Sequence, residues 1–248
     1  ARHKKTLCWM VIGLIESEKI GLTHWIPFAE VRAKMAQSVQ RRFQRWLENE
    51  RIEVNSLYGP LVQNALSEWG MTTLYLAFDT SMLWNKYCIM RLSIVYRGRA
   101  IPLIWKVIEH GSSSVALSEY KELLATAAQL LPMYVSGRII FLADRGFADT
   151  ELMRYLKEKL HWHWRIRIKS SFKVYRPKHQ GCQISRYAPK AGEAIFWHSI
   201  RITDERFGPV HLAMAHRREN GERWYVLSSN PTDLQTFDEY GLRFDIEE

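Results

Sequence analysis

The stretch Thr73–Thr80 (TLYLAFDT) constrains the fold more than any other. Leu74, Leu76 and Phe78 alternate with Tyr75, Ala77 and Asp79, and the run is apolar on both faces. A strand of that kind is a central one, covered by other layers on two sides. Asp79 stands at its predicted C-terminal end, where a carboxylate can meet a ligand or a metal. A second run, Arg138–Asp144, repeats the grammar: Ile139 to Ala143 are apolar, then comes Asp144, followed by Arg145-Gly146-Phe147. Two buried strands, each delivering an aspartate at its exit, predict two carboxylates in one sheet. Carboxylates held that close repel, and an ion reconciles them.

The elements around these runs predict a mixed sheet. Strands are expected over 87–96 and 99–108, joined by a tight turn at Arg97-Gly98. A helix over 118–131 is stopped by Pro132, and another spans 150–160. In His161–Lys169 the alternation is strict. Trp162, Trp164, Ile166 and Ile168 share one face; Arg165, Arg167 and Lys169 share the other with two histidines. Residues 170–236 hold short β-like runs (194–202, 210–216, 223–228) between Gly, Pro and polar turns, and from Asp238 the pattern turns helical. The expected fold class is mixed α/β.

Upstream, residues 4–69 read as helical, punctuated by Pro27 and Gly59-Pro60. The apolar run Leu7–Ile15 after a basic start resembles a signal peptide. It is followed by no small-residue cleavage site and is too short to span a bilayer, so a buried helix is expected. Ser38 is the expected cap of a helix with Val39, Phe43, Trp46 and Leu47 on its apolar stripe. Arg41, Arg42 and Arg45 lie away from that stripe. Such a basic face can enter a DNA groove or simply be solvated.

The net charge of +9 over 248 residues favours a polyanionic partner, nucleic acid above all. Three scattered cysteines argue against a disulfide framework or zinc knuckle and for a reducing compartment. The expectation is a cytoplasmic, nucleoid-associated protein with no membrane contact. No serine–histidine–acid order, phosphate-cradling glycine loop or cofactor fingerprint is present.

Phe78-Asp79-Thr80-Ser81, then Asp144-Arg145-Gly146-Phe147, then Tyr240-x-x-Arg243-x-x-x-Glu247 resemble the DDE transposases of bacterial insertion sequences. More narrowly, they resemble insertion-sequence family four, whose signature is Tyr, Arg, Glu and Lys. The resemblance covers roughly residues 35–248. The signature lysine would fall at 254, past the last residue. The chain also lacks an initiator methionine and reads as a fragment, one expected to bind DNA but to cleave poorly.

The resemblance implies a ribonuclease H-like catalytic domain with a β-rich insertion and an N-terminal helical region. The expected division is 1–70 helical and DNA-binding, 71–169 catalytic core, 170–236 insertion, and 237–248 the start of the helix carrying the third acid. It implies that Asp79, Asp144 and Glu247 are catalytic and hold two magnesium ions, with manganese as a substitute. Hard cations want oxygen ligands, and two of them ~4 Å apart serve both ends of an in-line phosphoryl displacement. By the family pattern Tyr240 and Arg243 contact the phosphate of the transposon end. The implied partners are terminal inverted repeats and target DNA, bound by a homodimer.

Further DNA-binding candidates are Arg145, beside Asp144, and Arg165, Arg167 and Lys169, which track phosphates or guard a solvent-facing edge. Trp197 and Trp224 are candidates for stacking on an extruded base, or for packing inside the β-rich stretch. Two other readings stay open: a metal-dependent nuclease of the same fold, and a non-catalytic DNA-binding remnant of a transposase.

Overall fold

The structure, a computed structural model, describes residues 2–30, 35–69, 73–131, 138–177 and 179–246. The chain forms two compact units, Ala1–Gly59 and Pro60–Glu248. In the first unit, α1 (Arg2–Ser17), α2 (Leu22–Trp25) and α3 (Ala36–Leu47) gather around Trp9, Met10, Trp25, Val39 and Phe43. The spacing of Val39 and Phe43, one helical turn apart, aims both at that core.

Three expectations are corrected here. Helix α1 is not buried all round: Val11, Ile12, Leu14 and Ile15 are exposed, because a small helical cluster covers only one stripe of it. Ser38 lies inside the first turn of α3, whose N-cap is Met35. Gly59-Pro60 does not break the chain; Pro60 sits within α4 (Val54–Glu68).

In the second unit, ten strands form one sheet among the described residues. They are β1 (Leu74–Leu83), β2 (Tyr87–Tyr96), β3 (Arg99–Glu109), β4 (Ile139–Ala143) and β5 (His163–Arg167). The others are β6 (Lys173–Tyr175), β7 (Cys182–Gln183), β8 (Ala194–Ile202), β9 (Phe207–His216) and β10 (Arg223–Ser228). Their order is β3-β2-β1-β4-β5-β10-β9-β8-β6-β7. β1 pairs parallel with β4, and β4 parallel with β5, while β2 and β3 are antiparallel hairpin arms. The β2–β3 turn has both Arg97 and Gly98 at positive φ, the backbone that matches the twist of a two-residue hairpin.

Helices α5 (Leu117–Leu130) and α6 (Thr150–Glu158) connect these core strands. Asp149 caps α6 by accepting the Glu151 N–H at 2.8 Å. Pro132, the expected stop of α5, lies outside the described residues. On one side of the sheet Phe78 of β1 packs with Phe141, Tyr120 and Phe147, ring centroids 4.9–5.8 Å apart. On the other lie α7 (Gln235–Gly241) and a 3-10 segment, Leu242–Ile246. There Ile246 buries against Ala77 and Val95. The last helix begins three residues before Asp238 and tightens into 3-10 form just before Glu247, which itself lies outside the described residues.

β1 does not end at Asp79. It runs on to Leu83 and turns back through Trp84 and Asn85, both at positive φ, into β2. The strands from residue 170 onward continue the same sheet: β10 pairs with β5 and joins the later strands to the edge of the core. No described helix is long and apolar enough to cross a membrane.

Candidate active site

The register of β1 and β4 decides where the two aspartates go. Phe78 is the parallel partner of Ala143, so Asp79 and Asp144 each come one residue beyond a matched pair. Side chains alternate, and both strands stay extended at these positions. The two carboxylates therefore emerge on one face of adjacent strands, the face of Ala77 and Leu142, about one strand spacing (~4.8 Å) apart. Asp144 Oδ1 accepts the Gly146 N–H at 2.7 Å, and this caps the short 3-10 turn Arg145–Phe147. The Thr80 N–H meets Asp79 Oδ1 at 2.9 Å, and Thr80 Oγ1 donates to the Ser113 carbonyl.

The third predicted acid, Glu247, is not described, but the residue before it is held close by. Arg91 is the cross-strand partner of Asp79 in the β1–β2 hairpin, and its guanidinium donates to the Ile246 carbonyl. Ile246 packs on Ala77, two residues before Asp79 and on the same face.

Tyr240 and Arg243 are both buried, Tyr240 completely. Tyr240 packs edge-on against Trp224 and Phe244, and Arg243 stacks on Phe244 at 4.6 Å. Burial pushes the Tyr240 phenol above its ordinary range; the Arg243 and Arg167 guanidiniums oppose the shift and the Asp144 carboxylate adds to it. The phenol thus feels both the acid at the strand end and the arginines beside it.

Several predicted residues sit elsewhere than expected. Arg165 is not on a solvent face: it is buried and forms an ion pair with Glu239 of α7 at 2.8 Å, because α7 covers that side of β5. Trp224 is buried among Tyr240, Phe237 and Phe244 and offers no open platform. Trp197 is half-buried, edge-on to Tyr187 and beneath Arg176 at 4.6 Å. Arg42 does not lie wholly away from its helix's apolar stripe; it stacks on Trp9 and donates to Thr6 Oγ1 at 3.1 Å, while Arg41 and Arg45 are exposed. Arg167 pairs with Glu222 at 2.8 Å, and Arg145 and Lys169 are exposed. Arg145, Arg167 and Lys169 line one groove of about 460 Å³, together with Arg223 and three serines.

The donor set around Asp79 and Asp144 is oxygen only, which suits a hard divalent cation. Among the described residues no group of three or more His, Cys, Asp or Glu is gathered in a metal-binding arrangement. Sequence reasoning missed Arg91 and Glu239. A hairpin register for β1 and β2 would have exposed the first; nothing local marks the second.

The mixed sheet brings two aspartates together on adjacent parallel strands, one within β1 and one just past the end of β4. Residues 85–248 match the family model for the transposase DDE domain, and the chain belongs to that family. The match takes in Asp144, Tyr240, Arg243 and Glu247 and begins just after Asp79. No curated protein matches the sequence. Among solved structures, Marinitoga piezophila Argonaute in complex with 5′ OH guide RNA and target DNA aligns at 13% identity and a TM-score of 0.31. That alignment covers 69% of this chain and 25% of that one, so the chain spans about a quarter of the Argonaute's length.

Proposed function

We propose that this protein is a DNA transposase of the branch marked by Tyr, Arg, Glu and Lys, insertion-sequence family four, with a ribonuclease H-like core. It cleaves the ends of its element and transfers the freed 3′ hydroxyl to target DNA. The observation that carries this reading is the register of β1 and β4, which sets Asp79 and Asp144 side by side one residue beyond the pair Phe78–Ala143. The hold of Arg91, the cross-strand partner of Asp79, on the Ile246 carbonyl supports Glu247 as the third acid, since Ile246 immediately precedes it in the sequence.

Asp79, Asp144 and Glu247 would hold magnesium, two ions per site, with manganese as a substitute. Bound there, the metal supplies Lewis-acid stabilisation of the attacking and leaving oxygens of the phosphodiester. The protein's own groups do the rest. The Gly146 and Thr80 N–H groups fix the rotamers of Asp144 and Asp79 by donating to their Oδ1 atoms. Arg145, exposed beside Asp144, and Arg167 and Lys169 along the adjoining groove neutralise phosphates of the bound strand. Tyr240, within electrostatic reach of Asp144, and Arg243 beside it are the proposed contacts of the element-end phosphate, which the side chains now covering both would have to uncover. Two copies act together, one on each inverted repeat.

The test is Asp79→Asn and Asp144→Asn on supercoiled plasmid carrying the gene's genomic flanks. Magnesium-dependent nicking should fall at least about 10²-fold while DNA binding persists. Undiminished nicking by either variant would refute the assignment. Joined products distinguish a transposase from a nuclease that only cuts.

A further inference from the structure

The groove beside Asp144 does not stop at β5. Its lining ends at Ser171, and Ser171 also lines a second cavity of about 540 Å³ with Lys173 and Arg186. Gly181 belongs to that cavity and to a third, of about 500 Å³, lined by Arg176, Arg201 and Arg206. Single shared residues thus link the three cavities in sequence, from Arg145 to the strands β6 and β8. Among the described lining residues, Asp204 is the single carboxylate. It is already engaged by Lys173 Nζ at 2.6 Å and by the Tyr175 hydroxyl at 2.9 Å.

The cations at the far end are held ready. Arg176 lies over Trp197 at 4.6 Å and near Tyr187 at 5.7 Å; Arg206 lies over Tyr175 at 5.1 Å. Arg201 Nη1 donates to the Arg206 carbonyl at 3.1 Å. A guanidinium laid on an aromatic face keeps its edge N–H groups pointing outward, and it loses little freedom when a phosphate arrives.

We propose that these linked cavities form one trench that carries the DNA backbone onward from the Asp79–Asp144 site, so that Arg176, Arg186, Arg201 and Arg206 grip phosphates remote from the reaction. The choice of DNA rests on the transposase reading. Five strand spacings of ~4.8 Å separate β4 from β6, a path of about 24 Å measured along the curving sheet, so the trench is several phosphates long. A line of cations that begins at the reacting carboxylates fits a polymer whose next phosphates lie along that line. A free nucleotide would use one cavity, not three.

Equilibrium binding of duplex DNA of unrelated sequence, about 30 base pairs long, over a series of salt concentrations without divalent ions tests this. Each lost phosphate contact lowers the slope of log affinity against log salt by about 0.9. Arg186→Ala combined with Arg201→Ala should therefore lower it by about 1.8 and weaken binding several-fold. Arg186→Lys with Arg201→Lys keeps the charge and should keep the slope, and each single alanine variant should lose half, which separates the effect from misfolding. Arg99→Ala, a cation at the opposite edge of the sheet, is the control and should change nothing. An unchanged slope in the double alanine variant, an equal loss in Arg99→Ala, or tighter binding of duplex RNA of the same length overturns the proposal. No cleavage is read, so failure of the Asp79 and Asp144 test leaves this result interpretable on its own.

Discussion

Arg91 is a strand residue with an unusual duty. It faces Asp79 across the hairpin and ties down the backbone of a residue more than 150 positions later. Arg91→Ala should leave DNA binding intact and lower cleavage by about 10- to 100-fold, since a misplacement near 1 Å at a catalytic group has that scale. Arg91→Lys, which can still donate to a carbonyl, should recover part of the loss; equal cleavage by all three proteins would remove Arg91 from the site. Arg165 makes a different point. Its pair joins a buried guanidinium to a Glu239 carboxylate only 13% exposed, so Arg165→Ala leaves that carboxylate without its partner and should cost about 3 kcal/mol in urea unfolding. Replacing both partners by apolar residues should recover most of that. The two aspartates were legible because an acid ending an apolar run breaks the pattern. Arg165 was not: alternation assigns a face and says nothing of what covers it, and α7 is distant in sequence.

The elements of the sheet were largely legible, and the exceptions are instructive. β2, β4, β8 and β10 fall where alternation and apolar runs place them. β1 was read too short, because Asp79 looked like a terminus. In fact the hairpin carries it four residues further, and the charge is tolerated because only one side of the strand is covered at that height. The N-terminal helix was read as buried because hydropathy along the nine residues Leu7–Ile15 does not reveal how few neighbours will be available to cover them. Phe78 anchors β1 from the opposite side by three aromatic contacts. Phe78→Leu should cost about 1–3 kcal/mol, and Phe78→Ala about 3–5 kcal/mol, by thermal or urea unfolding. Because Phe78 adjoins Asp79, cleavage by the leucine variant should fall further than its stability alone explains.

At the scale of the molecule, the single sheet ties the late part of the chain to the early part. Tyr75 of β1 donates to Glu239 of α7 at 3.2 Å, and burial, then the nearby carboxylate, pushes its phenol up to about 12. The ordinary tyrosine value is 10.0, so the folded state holds the proton longer than the unfolded chain does. This contribution to stability is complete below about pH 10 and is lost as pH rises toward 12. Urea unfolding midpoints should fall across that window, and Tyr75→Phe should flatten the fall; identical slopes would place the alkaline sensitivity in another group. The continuity of the sheet through β5 and β10 was hidden in the sequence, because pairing between distant strands leaves no local trace.

The route of the polypeptide has a consequence for a newly made molecule. On the proposed reading, the ribosome delivers both aspartates long before the segment that Arg91 receives, and that segment can settle only after β10 has given α7 a surface to rest on. On that same reading, a half-synthesised molecule would hold DNA but would lack the means to cut it until its last elements fold.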